Sequence, residues 1–202
     1  PEVSRSPSKD TRKGMSLQFI NYSLTGGKMK VQGSALSADQ RAQVVNYLIG
    51  NKVTSDAWTK PMMCDAARMP VDLSGAATIT NFGFDRSNTR TLSAKQAGLT
   101  KAQLSKMDLA WSLGFPDATT MRSQGAVVGN NVFVPIPDLS AMYALDLSDT
   151  AKPCIQWIYK APGDAPLRSS PGYGVTADGT PLLVFSGLDA TVHAVDARTG
   201  KA

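Results

Sequence analysis

One short run of sequence occurs twice in this chain, as Met142-Tyr143-Ala144-Leu145-Asp146 and as Val192-His193-Ala194-Val195-Asp196. The two copies lie 50 positions apart. Two further matches lie 46 positions apart: Leu109-Ala110-Trp111 with Ile155-Gln156-Trp157, and Met121-Arg122-Ser123 with Leu167-Arg168-Ser169. A period of 46 to 50 residues is typical of solenoids, propellers and repeat arrays.

The repeated unit is built from short strands and turns. Two apolar runs, Val127-Val128 and Val132-Phe133-Val134, flank Gly129-Asn130-Asn131, which predicts a hairpin. The residues that lengthen the second copy fall in Gly174–Pro181, where Asp178-Gly179 marks another hairpin turn. Four such strands per unit is the count for a propeller blade, and the spacing of the turns excludes a helical solenoid.

The first fifty residues have a helical pattern instead. One apolar face is formed by Leu17, Ile20 and Leu24. Gly26-Gly27 predicts the end of that helix. A second helix is predicted from the capping box of Ser37 and Gln40, and Gly50 stands at its C-terminal cap. Two more capping boxes, Ser93 with Gln96 and Thr100 with Gln103, predict two short helices further along.

Composition narrows the possible functions. Apolar residues make up 42% and charged residues 18% of the chain, which is typical of a folded protein. No run approaches the length of a membrane span. The net charge of +5 lies entirely in the first sixty residues, yet no nucleic-acid-binding motif accompanies it, so we expect no nucleic-acid partner.

Metal-binding side chains are few. The single histidine, His193, excludes a pair of histidine ligands, and we expect it to pack inside a strand. Cys64 and Cys154 cannot form a Cys-x-x-Cys site. Cys64 is either a free thiol or the partner of a cysteine outside this chain, and the sequence does not decide between them.

A methionine lies in a glycine-rich loop between the first two predicted helices. The residues of this pattern are Leu24-Thr25-Gly26-Gly27-Lys28-Met29, Leu36-Ser37, Arg41, Val44, Tyr47-Leu48 and Gly50. The pattern resembles the C-terminal half of a small c-type cytochrome, which implies that Met29 is the distal haem ligand. The haem attachment motif Cys-x-x-Cys-His does not occur here, and we expect it upstream of Pro1 in a longer protein. The alternative is a helical hairpin in which Met29 only packs.

The last eight residues before Ala202 form the most specific motif. Ala194-Val195-Asp196-Ala197-Arg198-Thr199-Gly200-Lys201 resembles the tryptophan-docking repeat of quinoprotein propellers. In such a repeat the Asp caps a turn, the Gly adopts a positive φ, and a Trp packs across the next blade. The earlier copy keeps Ala144, Asp146 and Trp157 but replaces the Thr-Gly-Lys part by Ser148–Pro153.

The order of motifs along the chain points to one branch of the quinoprotein family. Between the methionine loop and the repeats stand Asn81–Asp85, Asn88-Thr89-Arg90 and Ala110–Pro116. This order is similar to the polyvinyl-alcohol-dehydrogenase-like branch of the quinoproteins, in which a cytochrome c domain precedes a propeller that binds pyrroloquinoline quinone (PQQ). The family has Trp where Thr80 and Phe82 stand here, which affects the packing of the first blade.

The resemblance implies a mainly β fold, in which about two to three four-stranded antiparallel blades form part of a propeller. We expect residues 1–50 to be the C-terminal part of a cytochrome-c-like domain. Residues 51–77 are expected to be an irregular connector, and residues 78–202 the first blades.

The resemblance also implies an enzyme. The activity would be that of a periplasmic PQQ-dependent dehydrogenase, which oxidises a small or polymeric alcohol and passes electrons to haem c and an acceptor cytochrome. A Ca²⁺ ion would polarise the PQQ. We expect the catalytic base and most Ca²⁺ ligands beyond residue 202. The alternative is a non-catalytic PQQ-like propeller that serves as a scaffold for other proteins.

Two matched segments are the predicted cofactor site. They comprise Arg122, Ser123 and Gln124 in one repeat and Arg168, Ser169 and Ser170 in the next. We expect both at one mouth of the propeller channel, where each guanidinium can bind a PQQ carboxylate. The alternative is that each arginine pairs with a turn aspartate. Three turn aspartates, which we expect to be structural, are Asp138, Asp164 and Asp189.

Overall fold

The computed structural model describes residues 7–50 and 56–202. The first six residues of the predicted 1–50 domain lie outside the described residues, and so does the start of the predicted connector, residues 51–55. None of the helices in the two described ranges is both long and apolar enough to cross a membrane.

Four helices form the N-terminal part: α1 (Lys9–Lys13), α2 (Leu17–Thr25), α3 (Lys30–Ser34) and α4 (Ala38–Ile49). Helix α2 confirms the first predicted helix. Helix α4 confirms the second, with the capping box of Ser37 and Gln40 formed and Gly50 left-handed at φ 74°. The buried residues of α2 and α4 form one small apolar core, made of Ile20, Leu24, Val45 and Ile49.

The predicted methionine loop is only partly a loop. Helix α3 occupies its second half, and Met29 is the residue that precedes this helix. Helix α3 crosses α2 so closely that a Cβ added at Gly33 would lie 1.9 Å from the carbonyl oxygen of Leu24. Glycine is therefore required at this crossing.

The connector is fastened to the β-sheet. Its first described part is a 3-10 helix, Asp56–Met62, where the sequence predicted an irregular connector. Cys64 forms a disulfide with Cys154, so neither alternative predicted for Cys64, a free thiol or a bond to a cysteine outside this chain, is correct. Four residues later, Arg68 Nε donates to a carboxylate oxygen of Asp146 at 2.6 Å.

Two antiparallel sheets follow. The first has five strands in chain order: β1 (Ala77–Ile79), β2 (Ala126–Val128), β3 (Asn131–Ile136), β4 (Ala141–Asp146) and β5 (Cys154–Lys160). The second has three: β6 (Gly172–Val175), β7 (Pro181–Ser186) and β8 (Val192–Asp196). Two short helices, α5 (Ala94–Ala97) and α6 (Lys101–Leu104), lie between β1 and β2 and confirm the two predicted there.

The repeated run forms a strand in both copies, as predicted, but the sheets do not have the predicted four strands each. Both copies of the five-residue run are strands, β4 and β8, and both predicted hairpins form, with Gly129 at φ 55° and Gly179 at φ 85°. The sheets have five and three strands instead of four, since β1 adds to β2–β5. Leu109-Ala110-Trp111 is not a strand, although its copy lies in β5. The described residues therefore combine helices with two antiparallel sheets.

The two sheets pack face to face. Their shared core contains buried residues from both sheets, among them Phe133, Met142, Leu183 and Val195. The opposite face of the first sheet is covered by the connector and by residues 113–118, where Trp58 and Phe115 contact the buried ring of Tyr143.

Helix α2 contacts the β-sheet region. Ser16, which caps α2, donates its hydroxyl to the carbonyl oxygen of Asp138 at 3.1 Å. Tyr22 donates to the carbonyl oxygen of Leu188 at 2.8 Å. These hydrogen bonds fix one side of the helical part against loops of both sheets.

Candidate cofactor site between the two sheets

The two predicted site segments lie side by side. One leads into β2 and the other leads into β6, so each precedes the first strand of its repeat. Ser123 Oγ donates to the carbonyl oxygen of Arg168 at 2.7 Å, and the backbone N–H of Gln124 donates to Ser170 Oγ at 2.8 Å. These hydrogen bonds join residues that stand 45 and 46 positions apart in the sequence.

Side-chain hydrogen bonds hold this junction in place. Ser169 Oγ accepts the N–H of Ser186 at 2.6 Å, which ties its segment to β7. Gln124 Oε1 accepts the N–H of Gly83 at 3.2 Å, which adds the loop that follows β1. Four of the six predicted side chains therefore form hydrogen bonds that hold the two segments in place.

The two arginine side chains remain available. Both are exposed, and neither forms an ion pair within residues 7–50 and 56–202. The alternative prediction, that each pairs with a turn aspartate, is therefore not what the described residues show. The backbones of the two arginines lie close together, because Ser123, next to Arg122, donates to the carbonyl oxygen of Arg168.

The turn aspartates serve the fold. Asp138 is buried and accepts hydrogen bonds from the N–H and hydroxyl of Thr119 and from the N–H of Thr120. Asp164 accepts a hydrogen bond from Asn21 on α2. Asp189 accepts the N–H of Thr191 at 3.2 Å, which lowers the pKa of its carboxyl although partial burial acts most strongly in the opposite direction.

The site chemistry fits an anionic ligand. Two guanidinium groups have no acidic partner among the described residues, and Gln124 Nε2 is a buried donor that lacks an acceptor. These are the groups that a carboxylate oxygen satisfies. The six predicted residues include no carboxylate, so they offer Ca²⁺ no anionic ligand.

The haem prediction has less support. Met29 is 46% exposed at the start of α3. The only histidine, His193, lies on β8, where it stacks on Phe185 and contacts the hydroxyl of Tyr159 at 3.0 Å, as expected for a packed residue. Both cysteines are joined in the disulfide. The residues of this chain therefore supply one candidate ligand and do not by themselves fit a c-type haem.

A cluster that the sequence did not indicate lies under the connector. The sulfur atoms of Cys64 and Cys154 and a carboxylate oxygen of Asp146 lie within 4.8 Å of one another. The sulfurs are bonded to each other, and the carboxylate accepts hydrogen bonds from Arg68 and Ser148, so the cluster joins the connector to the sheet. No local sequence signal marks the Arg68–Asp146 contact or the disulfide, because they join residues 78 and 90 positions apart.

The chain was also compared with known proteins. A scan against models of protein families finds no match, and a search of curated proteins finds none either. Function is therefore inferred from the geometry of the chain and its sequence motifs.

Proposed function

We propose that this chain contains the first blades of a PQQ-type propeller, in a periplasmic dehydrogenase of the polyvinyl-alcohol-dehydrogenase-like kind. The observation that supports this function most is the junction of Arg122-Ser123-Gln124 with Arg168-Ser169-Ser170. Successive repeats place matching segments together there, and both guanidinium groups stay free of acidic partners among the described residues.

The residues of the junction bind and orient the cofactor. PQQ carries three carboxylates, and a guanidinium binds a carboxylate through two parallel charge-assisted hydrogen bonds. Arg122 and Arg168 would each bind a carboxylate of PQQ, and Gln124 Nε2 would donate a further hydrogen bond. When bound, PQQ accepts a hydride from an alcohol, which is chemistry that the cofactor supplies.

The propeller itself is part of the proposal. The inter-sheet contact of Trp157 on the β8 turn supports it, because each blade of a propeller buries its face on the next. The outer face of the second sheet carries Val184, Val192 and Ala194 exposed to solvent. We assign this face to a third sheet packed in the same manner.

The periplasm is the proposed compartment. The Cys64–Cys154 disulfide supports an oxidising environment, since disulfides persist in secreted and periplasmic proteins. Were a haem c present in a longer protein, Met29 is the one residue of the described chain proposed as its distal ligand, and an acceptor cytochrome would be the partner.

A non-catalytic scaffold is the second candidate. From the end of α6 to the start of β2 four large apolar side chains are exposed: Leu104, Met107, Leu109 and Met121. Exposed apolar groups of this kind are typical of surfaces that bind other proteins. A scaffold has no use for the free arginine pair, so PQQ binding separates the two functions.

The test is the PQQ affinity of the intact protein that would carry these blades, measured by titration calorimetry on wild type, Arg122→Leu and Arg168→Leu. Each variant removes a charge-assisted contact of roughly 1.5–3 kcal/mol, so each should weaken binding about tenfold or more. Lys28→Leu removes an exposed charge from the helical part and should leave the affinity unchanged. Affinities within twofold of wild type for both arginine variants would reject the site and favour the scaffold.

A further inference from the structure

Residues 93–110, which we name the helical arm, are exposed along their whole length. The arm contains α5 and α6. Each helix begins at a residue whose backbone N–H donates to a glutamine side chain three positions on, from Ser93 at 3.0 Å and from Thr100 at 2.8 Å. Within the described residues, every hydrogen bond of the arm joins two of its own residues. The arm therefore folds through local contacts and leaves its side chains free to meet a partner.

Four large apolar side chains of the arm face solvent. Their exposed fractions are 36% for Leu99, 56% for Leu104, 59% for Met107 and 83% for Leu109. Leu99 stands just before the cap of α6 and Leu104 at its fourth position, an arrangement in which two apolar side chains adjoin. Exposed apolar groups gathered in this manner indicate contact with another protein or with a membrane surface.

The charges of the arm are mainly positive. Lys95, Lys101 and Lys106 stand among the apolar residues, and Asp108 is the only acid, so the arm has a net charge of +2. None of these lysines forms an ion pair with a described residue. The arm is therefore complementary in charge to a negatively charged partner.

The composition of the arm separates the two kinds of partner. Interfaces between proteins are enriched in aromatic residues and arginine and depleted in lysine, whereas the arm has three lysines and neither arginine nor any aromatic residue. Leucines that alternate with lysines are typical of segments that lie on anionic membranes. The long lysine side chains reach the lipid phosphates while the apolar groups enter the lipid. A second copy of this chain is disfavoured, because the chain carries a net charge of +5.

We propose that the helical arm docks this protein on an anionic phospholipid surface. The four apolar side chains enter the headgroup region, and the three lysines contact lipid phosphates. The contact is with the surface alone, because α5 and α6 have four residues each and are far too short to span a bilayer. The arm contains none of the six residues assigned to PQQ, so docking does not depend on the proposed enzyme.

The probe is a vesicle of equal parts phosphatidylglycerol and phosphatidylcholine, mixed with the intact protein that carries the arm and separated by flotation. We expect binding that weakens as salt is added, because salt screens exposed charges. Binding to vesicles of phosphatidylcholine alone should be about tenfold weaker or less. Leu109→Trp reports insertion, since the emission of the added indole should shift to the blue on anionic vesicles. Equal binding to both vesicles, or an unshifted emission, would overturn the proposal.

Lysine variants distinguish the arm from the basic helical part of the chain. A variant with glutamine for all three arm lysines should bind anionic vesicles about tenfold more weakly. The matched control, Lys28→Gln/Lys30→Gln/Lys152→Gln, removes the same charge from exposed positions elsewhere and should weaken binding by less than about threefold. Equal losses for the two variants would show that overall charge, and not the arm, attracts the vesicle.

Serine variants test the apolar contact. Leu109→Ser should weaken vesicle binding about threefold or more, because binding grows with the apolar area that enters the lipid. Val31→Ser is the matched control, since Val31 is 80% exposed on α3, and it should leave binding unchanged. Circular dichroism should be the same for both variants and wild type. Wild type that binds no vesicle would contradict the proposal and assign the arm to a protein partner instead.

Discussion

Trp157 on β5 donates its indole N–H to the carbonyl oxygen of Ala197 at 3.0 Å, directly after β8 in the other sheet. The indole ring lies against Gly200, where an added Cβ would come within 2.6 Å of the ring. Gly200 itself has φ 67°, in the turn closed by Asp196. One side chain therefore joins the end of the first sheet to the turn that ends the second.

Replacement of this side chain should separate the sheets. Trp157→Ala is expected to lower the free energy of unfolding by about 3–5 kcal/mol, because a large buried ring leaves a cavity between two packed surfaces. Trp157→Phe keeps most of the ring and loses one hydrogen bond, so about 1 kcal/mol is expected beyond the change in volume. Urea unfolding measures both, and equal losses for the two variants would contradict the packing role.

The disulfide should stabilise the fold strongly. Cys64 and Cys154 are 90 positions apart, and the chain-entropy relation for a loop of this length gives about 4–5 kcal/mol. Guanidinium unfolding of wild type and of the Cys64→Ala/Cys154→Ala double variant measures this difference. A reducing agent should destabilise wild type and leave the double variant unchanged. If reduction leaves the stability of wild type unaltered, the connector is not fastened by this bond.

Asp146 should make stability depend on acidity. Burial is the largest single influence on its pKa and acts upward, but the hydrogen bonds from Ser148 and Arg68 together outweigh it and hold the pKa below 3.8. A carboxyl with a lowered folded pKa stabilises the protein above its unfolded pKa, and this contribution is lost as the pH falls through the folded value.

Asp146→Asn tests that direction. The variant should be less stable than wild type at pH 7, and the gap should shrink below pH 3.8 as the wild-type carboxyl becomes protonated. Urea unfolding at a series of pH values gives the gap directly. A gap that stays constant between pH 7 and strong acid would show that ionisation of Asp146 does not stabilise the fold.

The helical part depends on a glycine. Gly33→Ala should lower the free energy of unfolding by about 3 kcal/mol or more, because its Cβ would meet backbone atoms of Leu24 that cannot move without separating α2 from α3. Gly98→Ala is the matched control, with a left-handed backbone at φ 65° but open space around it, and should cost only about 1–2 kcal/mol. Thermal unfolding ranks the two, and a larger loss at Gly98 would contradict the helix crossing.

Short-range sequence signals predicted the helices and the hairpin turns. The capping boxes of Ser37 and Ser93 and the turn residues Gly129 and Gly179 act within a few residues, so the sequence alone places them. The matched arginine segments were also found in this manner, because a repeat places equivalent residues at equivalent positions.

The features that the sequence did not predict depend on contacts between residues far apart in the chain. Leu109-Ala110-Trp111 matches part of β5 in sequence, yet it is not paired as β5 is with β4. Strand β1 enters the first sheet by pairing with β2 across an intervening segment that contains two helices. A polar cavity is lined by residues from the connector, the β2–β3 turn and the end of β4. No local sequence pattern predicts that these segments lie together.

The central claim is that Arg122 and Arg168 hold one PQQ molecule between the two sheets. The most direct measurement is equilibrium binding of PQQ to wild type and to the Arg122→Leu/Arg168→Leu double variant, with the Trp157→Phe variant as a control for sheet packing. We predict that wild type saturates with one PQQ per chain and that the double variant binds about a hundredfold more weakly. Wild type that does not saturate, or a double variant within twofold of wild type, would contradict the account.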